Sequence, residues 1–284
     1  MKHAYLIIAH NEFGILQRLV EALDDPRNDL YVHIDKKAGA LPTLQTHLSP
    51  LHVVADRIDV RWGNVSQIEC ELKLFETAYQ HGPYDFYHII SGVHLPLKSN
   101  DCIDAFFSAI AGNEIMHMWP FDDYEADTKI RFRHFFTSIY KSPRKPLRNF
   151  SQLVWNINVK IHRCFGIRRY KAQTFYKSDN WVSLTQDAVS YLVHRKKEIL
   201  KKYRFTFCGD EFFVASELKA CGDRFRIMDR SDLLFVDFIN GAPRDLDATD
   251  WEALQKSDCL FARKFNSSDP EFIQAVINHS NYDR

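Results

Sequence analysis

The opening of the chain alternates between continuous apolar runs and a helical pattern. Residues 4–9 and 30–34 are apolar runs, and apolar positions at helical spacing occupy 13–23 between them. Two buried strands joined by a helix begin a parallel α/β sheet, which binds ligands at the carboxyl ends of its strands. The polar residues that follow the two runs are His10, Asn11, Asp35 and Lys36. We therefore expect a binding site to form at these strand ends.

The alternation continues to about residue 120, which favours an α/β fold with a mostly parallel central sheet flanked by helices. Further strands are predicted at 51–55, 57–61, 84–91, 114–119 and 233–239. Helices are predicted at 66–79, after Ser99 or Asn100, at 186–201 and from 210 to 220. Ser66 with Glu69 three residues later has the form of a capping box.

Composition and length agree with an ordinary globular protein. The 284 residues are 45% hydrophobic and 26% charged, enough for one large domain or two small ones. Strand-like sequence begins at Ala4 without a charged leader, so we expect no signal peptide and a cytoplasmic location. No apolar run approaches the roughly 18 residues of a membrane span.

The charges are balanced overall but unevenly distributed. Thirty-seven basic and 37 acidic residues argue against a general nucleic-acid binder. Residues 129–177 contain thirteen Lys or Arg and no acid, which leaves 24 basic and 37 acidic residues elsewhere. Within this stretch, 146–165 carry apolar residues at helical spacing. Three interpretations are open: a helix packed on its own domain, an interfacial helix attracted to anionic lipid, or a basic wall facing a phosphate-bearing substrate.

The segment CGDEFF at 208–213 places two acids after a glycine turn and among aromatic residues. A carboxylate against aromatic rings is partly desolvated, which raises its pKa and suits a general base. The position at a helix start favours the ionised form instead. Taken alone, the pattern favours Asp210 as a helix cap with Glu211 in the first turn.

Two cations and one acidic pair near the C-terminus are candidates for binding a diphosphate. Arg244 and Lys264, if they converge, would neutralise such a group without a metal. Asp245 and Asp247 form the D-x-D pattern with which many sugar transferases hold Mn²⁺ or Mg²⁺, although acids are common in turns. Phosphate-loop, dinucleotide-binding, zinc-protease and hydrolase-elbow motifs do not occur in the sequence.

Seven segments, taken in order, resemble the core-2/I-branching β-1,6-N-acetylglucosaminyltransferase family, which also contains peptide O-xylosyltransferases. The segments are AYLIIAH (4–10), YVHIDKK (31–37), RWG (61–63), HIISGVHLPLK (88–98), WVSLT (181–185), GDEFF (209–213) and LFARKF (260–265). The ordered set is more specific than any one segment. The membrane anchor and stem of the animal enzymes are missing from this sequence, which looks like a bacterial member.

The resemblance implies a GT-A-like fold and inverting, metal-independent transfer of GlcNAc or xylose from a UDP-sugar, with no cofactor. Glu211 inherits the role of the base, and Arg244 and Lys264 inherit the diphosphate contacts, although the spacing between the two cations is shorter here. The residues assigned to the donor side are His10, Asn11, Asp35, Lys36, Arg61, Arg244 and Lys264. The implied setting is bacterial surface-polysaccharide assembly, with a glycan or lipid-linked saccharide as acceptor.

The acceptor side is less sharply defined by the resemblance. Either Glu114 or His117 occupies the place of the family's acceptor-binding acid, and Trp181 and Asp210 lie in matching segments. We expect one catalytic domain over 1–284, with a nucleotide-binding half at 1–120 and an acceptor half at 121–284 that includes the basic insert 129–177. The enzyme would be cytoplasmic, with peripheral contact at the inner face of an anionic membrane through 146–165. There are two alternatives. One is a noncatalytic sugar- or nucleotide-binding module, and the other is a metal-dependent transferase that uses Asp245 and Asp247.

Overall fold

Short strands alternate with helices throughout the computed structural model, which describes residues 1–282. The strands are β1 (His3–Ala9), β2 (Asn28–Ile34), β3 (Leu51–Val53), β4 (Phe86–Ser91), β5 (Leu95–Pro96), β6 (Glu114–Met116), β7 (Met118–Trp119), β8 (Lys177–Ser178), β9 (Ser183–Leu184), β10 (Ile227–Asp229), β11 (Leu234–Val236), β12 (Phe238–Ile239), β13 (Ala242–Pro243) and β14 (Phe261–Arg263). The α-helices are α1 (Phe13–Ala22), α2 (Ser66–Tyr79), α3 (Asn100–Ala109), α4 (Asp123–Ala126), α5 (Lys145–Cys164), α6 (Gln186–His194), α7 (Lys196–Tyr203), α8 (Asp210–Lys219), α9 (Trp251–Gln255) and α10 (Pro270–Tyr282).

Seven of these strands form the central sheet, in the order β10-β6-β9-β4-β1-β2-β3. β1 pairs in parallel with β2 and β4, β2 with β3, and β6 with β10, while β9 runs antiparallel to both β4 and β6. The expected α/β fold with a mostly parallel central sheet is therefore confirmed. A smaller sheet, β11-β14-β5, brings the C-terminal region back to the loop that follows β4.

Two apolar cores cover the two faces of the central sheet. Ala4 and Leu6 of β1 belong to one core, together with apolar residues of α2, α6 and α8. Tyr5 and Ile7 belong to the other, together with residues of α1, α3 and α10. Because side chains alternate along a strand, a strand that is covered on both faces is apolar at every position. This explains the continuous apolar run that opens the chain.

Several local predictions are wrong. Residues 57–61 form no strand, because Ile58 N donates to His33 Nε2 at 2.8 Å and Arg61 N donates to Ser66 Oγ at 2.8 Å. Ser66 Oγ is thereby occupied, and the N-cap of α2 is Val65, without a side-chain cap. Ser99 does cap α3 by accepting from Cys102 N.

The other differences are interruptions of predicted elements. The predicted helix 186–201 is broken at Arg195 into α6 and α7, and the predicted strand 233–239 is divided between β11 and β12. The predicted strand 114–119 is likewise divided into β6 and β7. Over residues 1–282, no helix combines the length and apolarity that crossing a membrane requires.

Candidate active site

The carboxyl ends of β1 and β2 present the first group of polar residues. His10 and Asn11 are exposed directly after β1, and Asp35 N donates to Ala9 O at 2.8 Å, which holds the two strand ends side by side. Asp35 itself is buried and caps the turn that follows β2. Partial burial lowers the pKa of His10, and the charge of Asp35 opposes that shift. The structure thus brings His10, Asn11 and Asp35 together, as predicted from the strand ends.

An ion-pair network supports these strand ends. Lys37 Nζ lies 2.7 Å from Asp35 Oδ2 and 2.8 Å from Asp59 Oδ1, and Arg61 Nη2 lies 2.5 Å from Asp59 Oδ2. Lys36 and Lys37 are both exposed, and Lys37 is the lysine that pairs with Asp35. Arg61 belongs to this network at the edge of the site, and its contact with a donor stays a prediction.

Arg244 and Lys264 are neighbours in the fold, although twenty positions separate them in the sequence. Leu246 N donates to Lys264 O at 2.8 Å, and Lys264 N donates to Arg244 O at 3.5 Å. Phe265 N donates to Val93 O, so this segment lies against the loop after β4. The charge of Lys264 also lowers the pKa of His10, which indicates that Lys264 lies near the end of β1.

The two cations differ in how firmly they are held. Arg244 lies between two carboxylates, with Nε 2.6 Å from Asp237 Oδ2 and Nη1 2.9 Å from Asp250 Oδ2. These partners, Asp250 foremost, raise the pKa of Arg244. Lys264 Nζ has a longer contact of 3.4 Å to Asp245 Oδ1. Lys264 is therefore the easier of the two to recruit to a bound phosphate.

The carboxylates of Asp245 and Asp247 form hydrogen bonds with other residues of the protein. Asp247 caps the 3-10 turn Ala248–Asp250 and accepts from Thr249 N at 2.9 Å. Asp245 Oδ2 accepts from Asn266 Nδ2 at 3.1 Å. Among the described residues 1–282, no group of three or more His, Cys, Asp or Glu side chains is arranged to hold a metal ion.

A helix that is buried almost all round presents Glu211. Every residue of α8 from Phe212 to Leu218 is buried, whereas the Glu211 side chain keeps 32% of its surface exposed. The N-cap of α8 is Gly209, so the prediction of Asp210 as the cap is wrong. A Cβ at Gly209 would overlap Thr206 Oγ1, and this close packing explains the glycine before the two acids. The rigid surroundings fix the position of the Glu211 carboxylate.

The Glu211 charge cluster, which we define as Glu211, Lys129, Glu125 and Lys177, surrounds this carboxylate. Lys129 Nζ lies 2.6 Å from Glu211 Oε2 and 3.0 Å from Glu125 Oε1. Lys177 Nζ lies 2.7 Å from Glu125 Oε1 and 3.9 Å from Glu211 Oε2. Burial lowers the pKa of Lys129, but the charge and hydrogen bond of Glu211, together with Cys208 and Glu125, outweigh burial and the pKa is raised. Lys129 is therefore a charged partner of Glu211.

Asp210 lies behind Glu211 and faces the protein interior. Its Oδ2 accepts from Gln67 Nε2 and from Asn180 Nδ2, both at 2.7 Å. Burial, and then the charge of Glu211, raise the pKa of Asp210 to about 7. Glu71, one turn beyond Gln67 on α2, is also buried, and burial with the charge of Asp210 raises its pKa well above the usual range. Asp210 therefore ties the start of α8 to its neighbours, and its contact with an acceptor stays a prediction.

A groove with aromatic walls is lined by His117, Asp179 and Trp181. Trp119 Nε1 donates to Asp179 Oδ1 at 2.6 Å, and the guanidinium of Arg263 lies 4.6 Å from the centre of the Trp181 ring. Burial raises the pKa of Asp179, whose charge interacts with those of both Arg263 and Glu211. Burial lowers the pKa of Arg263 to about 10, and Arg263 in turn influences His10. Asp179 thus interacts electrostatically with Glu211, and Arg263 with His10.

The two acceptor candidates, Glu114 in β6 and His117 just after it, have different surroundings. His117 lies in the groove, 4.4 Å from the Trp119 ring, and its Nδ1 is 3.1 Å from Asp229 Oδ1. Glu114 is only 2% exposed and accepts from Thr185 N at 2.8 Å and from Thr185 Oγ1 at 2.6 Å. Glu114 thus supports the start of α6, and of the two residues His117 has the more accessible position.

Sequence reasoning missed several residues of this site. Lys129, Glu125 and Lys177 all lie far from Glu211 in the sequence and lack a distinguishing pattern among many other charges. Asp179 could have been found, since it lies two residues before the segment WVSLT (181–185). Arg263 could have been found in the same way, since it immediately precedes Lys264.

The geometry supports a definite chemistry. A partly exposed carboxylate with a fixed ammonium partner can accept a proton from a hydroxyl bound in the aromatic groove. At the other end, two cations beside the strand ends can neutralise a phosphate leaving group. The rings of Trp119 and Trp181 offer apolar faces against which the C–H faces of a sugar can pack.

Comparison with known proteins gives a match over nearly the whole chain. The family model described as Core-2/I-Branching enzyme matches residues 3–276. Human N-acetyllactosaminide beta-1,6-N-acetylglucosaminyl-transferase is 27% identical over 118 residues, which cover 39% of this chain and 29% of that protein. Xylosyltransferase oxt of Drosophila melanogaster is 24% identical over 294 residues, which cover 92% of this chain and 31% of that protein.

Two further similarities are weaker. Mouse xylosyltransferase 2 is 21% identical over 314 residues, which cover 98% of this chain and 33% of that protein. Mouse xyloside xylosyltransferase 1, a solved structure, aligns with a TM-score of 0.37 at 10% identity, over 95% of this chain and 99% of that chain. We draw no conclusion about the fold from that score.

The chain spans about a third of the length of the curated relatives it matches. The family model, in contrast, covers all seven segments on which the resemblance was based. The chain belongs to the Core-2/I-Branching enzyme family.

Proposed function

We propose that this protein is an inverting, metal-independent glycosyltransferase of GT-A type that moves GlcNAc or xylose from a UDP-sugar to a glycan hydroxyl. The relatives include proteins named as an N-acetylglucosaminyl-transferase and as xylosyltransferases, which supports these two sugars. We further propose that the product is a bacterial surface polysaccharide.

One observation carries the proposal. Glu211 is held by Lys129 at the end of an aromatic groove, and Asp179 and Arg263 link that groove to His10 and Lys264. A base and a cationic group that lie at opposite ends of one site match the needs of a displacement reaction. The base acts on the incoming oxygen, and the cations act on the outgoing diphosphate.

The proposed reaction is a single displacement at the anomeric carbon. The acceptor oxygen forms a bond to that carbon as the bond to the diphosphate oxygen breaks, and its proton passes to the Glu211 carboxylate. UDP leaves with the bonding electron pair, and Lys264 and Arg244 neutralise the charge that develops on its terminal phosphate. Attack from the face opposite UDP inverts the configuration. The uridine would lie near His10, Asn11 and Asp35.

The test is to measure UDP release from UDP-GlcNAc and UDP-xylose with a panel of glycoside acceptors. Glu211→Gln should lower turnover by about 10²–10⁴-fold, as expected for loss of a general base. Donor binding should persist, seen as an increase in melting temperature on addition of the UDP-sugar. Glu69→Gln, which changes an exposed glutamate of α2, is the matched control.

Two outcomes would contradict the proposal. Turnover by Glu211→Gln at the wild-type rate would remove Glu211 from the chemistry. Donor binding without UDP release by the wild-type protein across the whole panel would favour a noncatalytic binding module.

A further inference from the structure

Helix α5 has two distinct lateral faces, and its apolar row lies on the solvent side. The residues of this row are Leu147, Phe150, Leu153, Ile157, Ile161 and Phe165, with exposed fractions between 39% and 73%. Exposed apolar residues that form a continuous row mark an interaction surface. The sequence interpretation in which this row packs on its own domain is therefore wrong.

The opposite side of α5 attaches the helix to the protein. Ser151, Val159 and His162 are buried; Ser151 Oγ donates to Phe136 O at 2.8 Å, and His162 Nε2 accepts from Arg133 N at 3.2 Å. Trp155 packs against Phe207, with ring centres 5.7 Å apart. Because these contacts already fix the helix, the outward row is not needed for folding.

The apolar surface extends beyond the helix. Phe136 is 54% exposed and packs against Phe150, with ring centres 5.3 Å apart. Ile167 is 47% exposed just after the helix ends. Together with the row on α5, they form what we call the docking face.

Charge identifies the occupant of the docking face. Exposed cations accompany the row: Arg144, Lys145, Lys160, Arg163, Arg168 and Lys171. No acid occurs between 129 and 177, whereas the rest of the chain carries 24 basic and 37 acidic residues. An anionic surface would therefore attract this face and repel the remainder of the molecule, which fixes an orientation. An apolar row flanked by cations is the pattern of a helix that lies in a membrane interface.

We propose that the docking face binds the surface of an anionic lipid bilayer, with the row on α5 inserted among the lipids. Trp155 and Phe207 connect this face to the loop that precedes Glu211, so the lipid lies about one helix diameter, roughly 10 Å, from that loop. A saccharide carried on a lipid would then reach the aromatic groove from the membrane. This statement about the acceptor rests on the proposed function, whereas binding to lipid does not.

The test is flotation of the full-length protein with vesicles of phosphatidylcholine alone or of phosphatidylcholine with phosphatidylglycerol. We expect binding to the anionic vesicles only, and partial release at high salt because ions screen surface charges. The triple variant Arg144→Glu, Lys145→Glu, Lys160→Glu should partition at least about tenfold more weakly. Leu153→Ser should weaken binding, and Leu48→Ser, at an equally exposed leucine, should not.

Three results would overturn the proposal. One is equal binding to both kinds of vesicle, and another is binding that both variants of α5 retain in full. The third is self-association without vesicle binding, measured by sedimentation equilibrium and abolished by Leu153→Ser, which would assign the face to a second copy. Vesicle binding does not depend on UDP release, so failure of the membrane proposal and failure of the proposed function can be told apart.

Discussion

The Lys129 ammonium lies 2.6 Å from Glu211 Oε2, although the two residues are 82 positions apart in the sequence. Lys129 also reaches Glu125, which in turn pairs with Lys177, so the candidate base is one member of a network of alternating charges. Charge-assisted hydrogen bonds are stronger and shorter than neutral ones. The network therefore keeps the Glu211 carboxylate at one position in the groove.

Replacing Lys129 by methionine should lower kcat by about 10–100-fold, because a positioned base loses its orientation. The KM for the donor should change little, since the donor site lies at the other end of the groove. Lys129→Arg should recover part of the activity. Lys73→Met, which breaks the exposed pair with Asp56, provides the control. An increase in donor KM with unchanged kcat would contradict this role.

Lys264→Ala should reduce kcat/KM by about 10–100-fold, a loss of roughly 1–3 kcal/mol in transition-state stabilisation. Its melting temperature should stay close to that of the wild type, because the single ion pair with Asp245 is long and partly exposed. Kinetics with UDP-sugars and thermal melting check both parts. A variant with full activity would exclude Lys264 from the diphosphate site.

Arg244→Ala should show a different combination of effects. Two carboxylates, Asp237 and Asp250, would lose their partner, so we expect a lower melting temperature in addition to the kinetic loss. Thermal melting without ligand isolates the structural effect, and the increase in melting temperature caused by UDP isolates the binding effect. An unchanged response to UDP would give Arg244 a structural role alone.

Turnover should be insensitive to EDTA and should not increase on addition of Mn²⁺, if the two cations neutralise the diphosphate. Asp247→Ala should lower the melting temperature slightly through loss of the cap on the 3-10 turn Ala248–Asp250 and leave donor affinity unchanged. Turnover that EDTA abolishes and Mn²⁺ restores would favour the metal-dependent alternative at Asp245 and Asp247.

The buried carboxyl groups of Glu71 and Asp210 should make the free energy of unfolding depend on pH. Burial raises the pKa of both carboxyls, that of Asp210 to about 7, so the folded state holds protons that the unfolded state releases above its pKa of about 4. Their stabilising contribution is present at low pH and is lost as the pH rises through the folded-state pKa. Glu71→Gln stays neutral and should therefore gain in melting temperature relative to the wild type between pH 5 and 8. A constant difference across this range would contradict a protonated Glu71.

The first half of the sheet and the proximity of His10 and Asp35 at its edge were predictable from the sequence because local patterns determine them. Strands that are buried on both faces have no polar interruptions, and parallel strand ends meet at one edge, which identified His10 and Asp35. The apolar row of α5 was equally visible. Whether this row faces the protein core or the solvent could not be predicted, because periodicity identifies the apolar face of a helix but not what covers that face.

The errors arose where side chains form tertiary contacts. Ser66 has the residue type of an N-cap, yet its hydroxyl accepts from Arg61 N. Asp210 likewise binds Gln67 and Asn180 instead of its own helix start. The ion pair of Lys129 with Glu211 joins distant parts of the chain, and one sequence carries no signal for such a pair.

The position of β9 in the central sheet has a consequence for how the protein is synthesised. β4 and β6 both lie before residue 120, yet β9, at Ser183–Leu184, separates them and pairs with each. A nascent chain that has emerged only to residue 120 thus has two strands with open edges and a gap between them. Such edges are templates for aggregation. The first 120 residues should therefore need protection on the ribosome until β9 emerges, and expressed alone they should be insoluble.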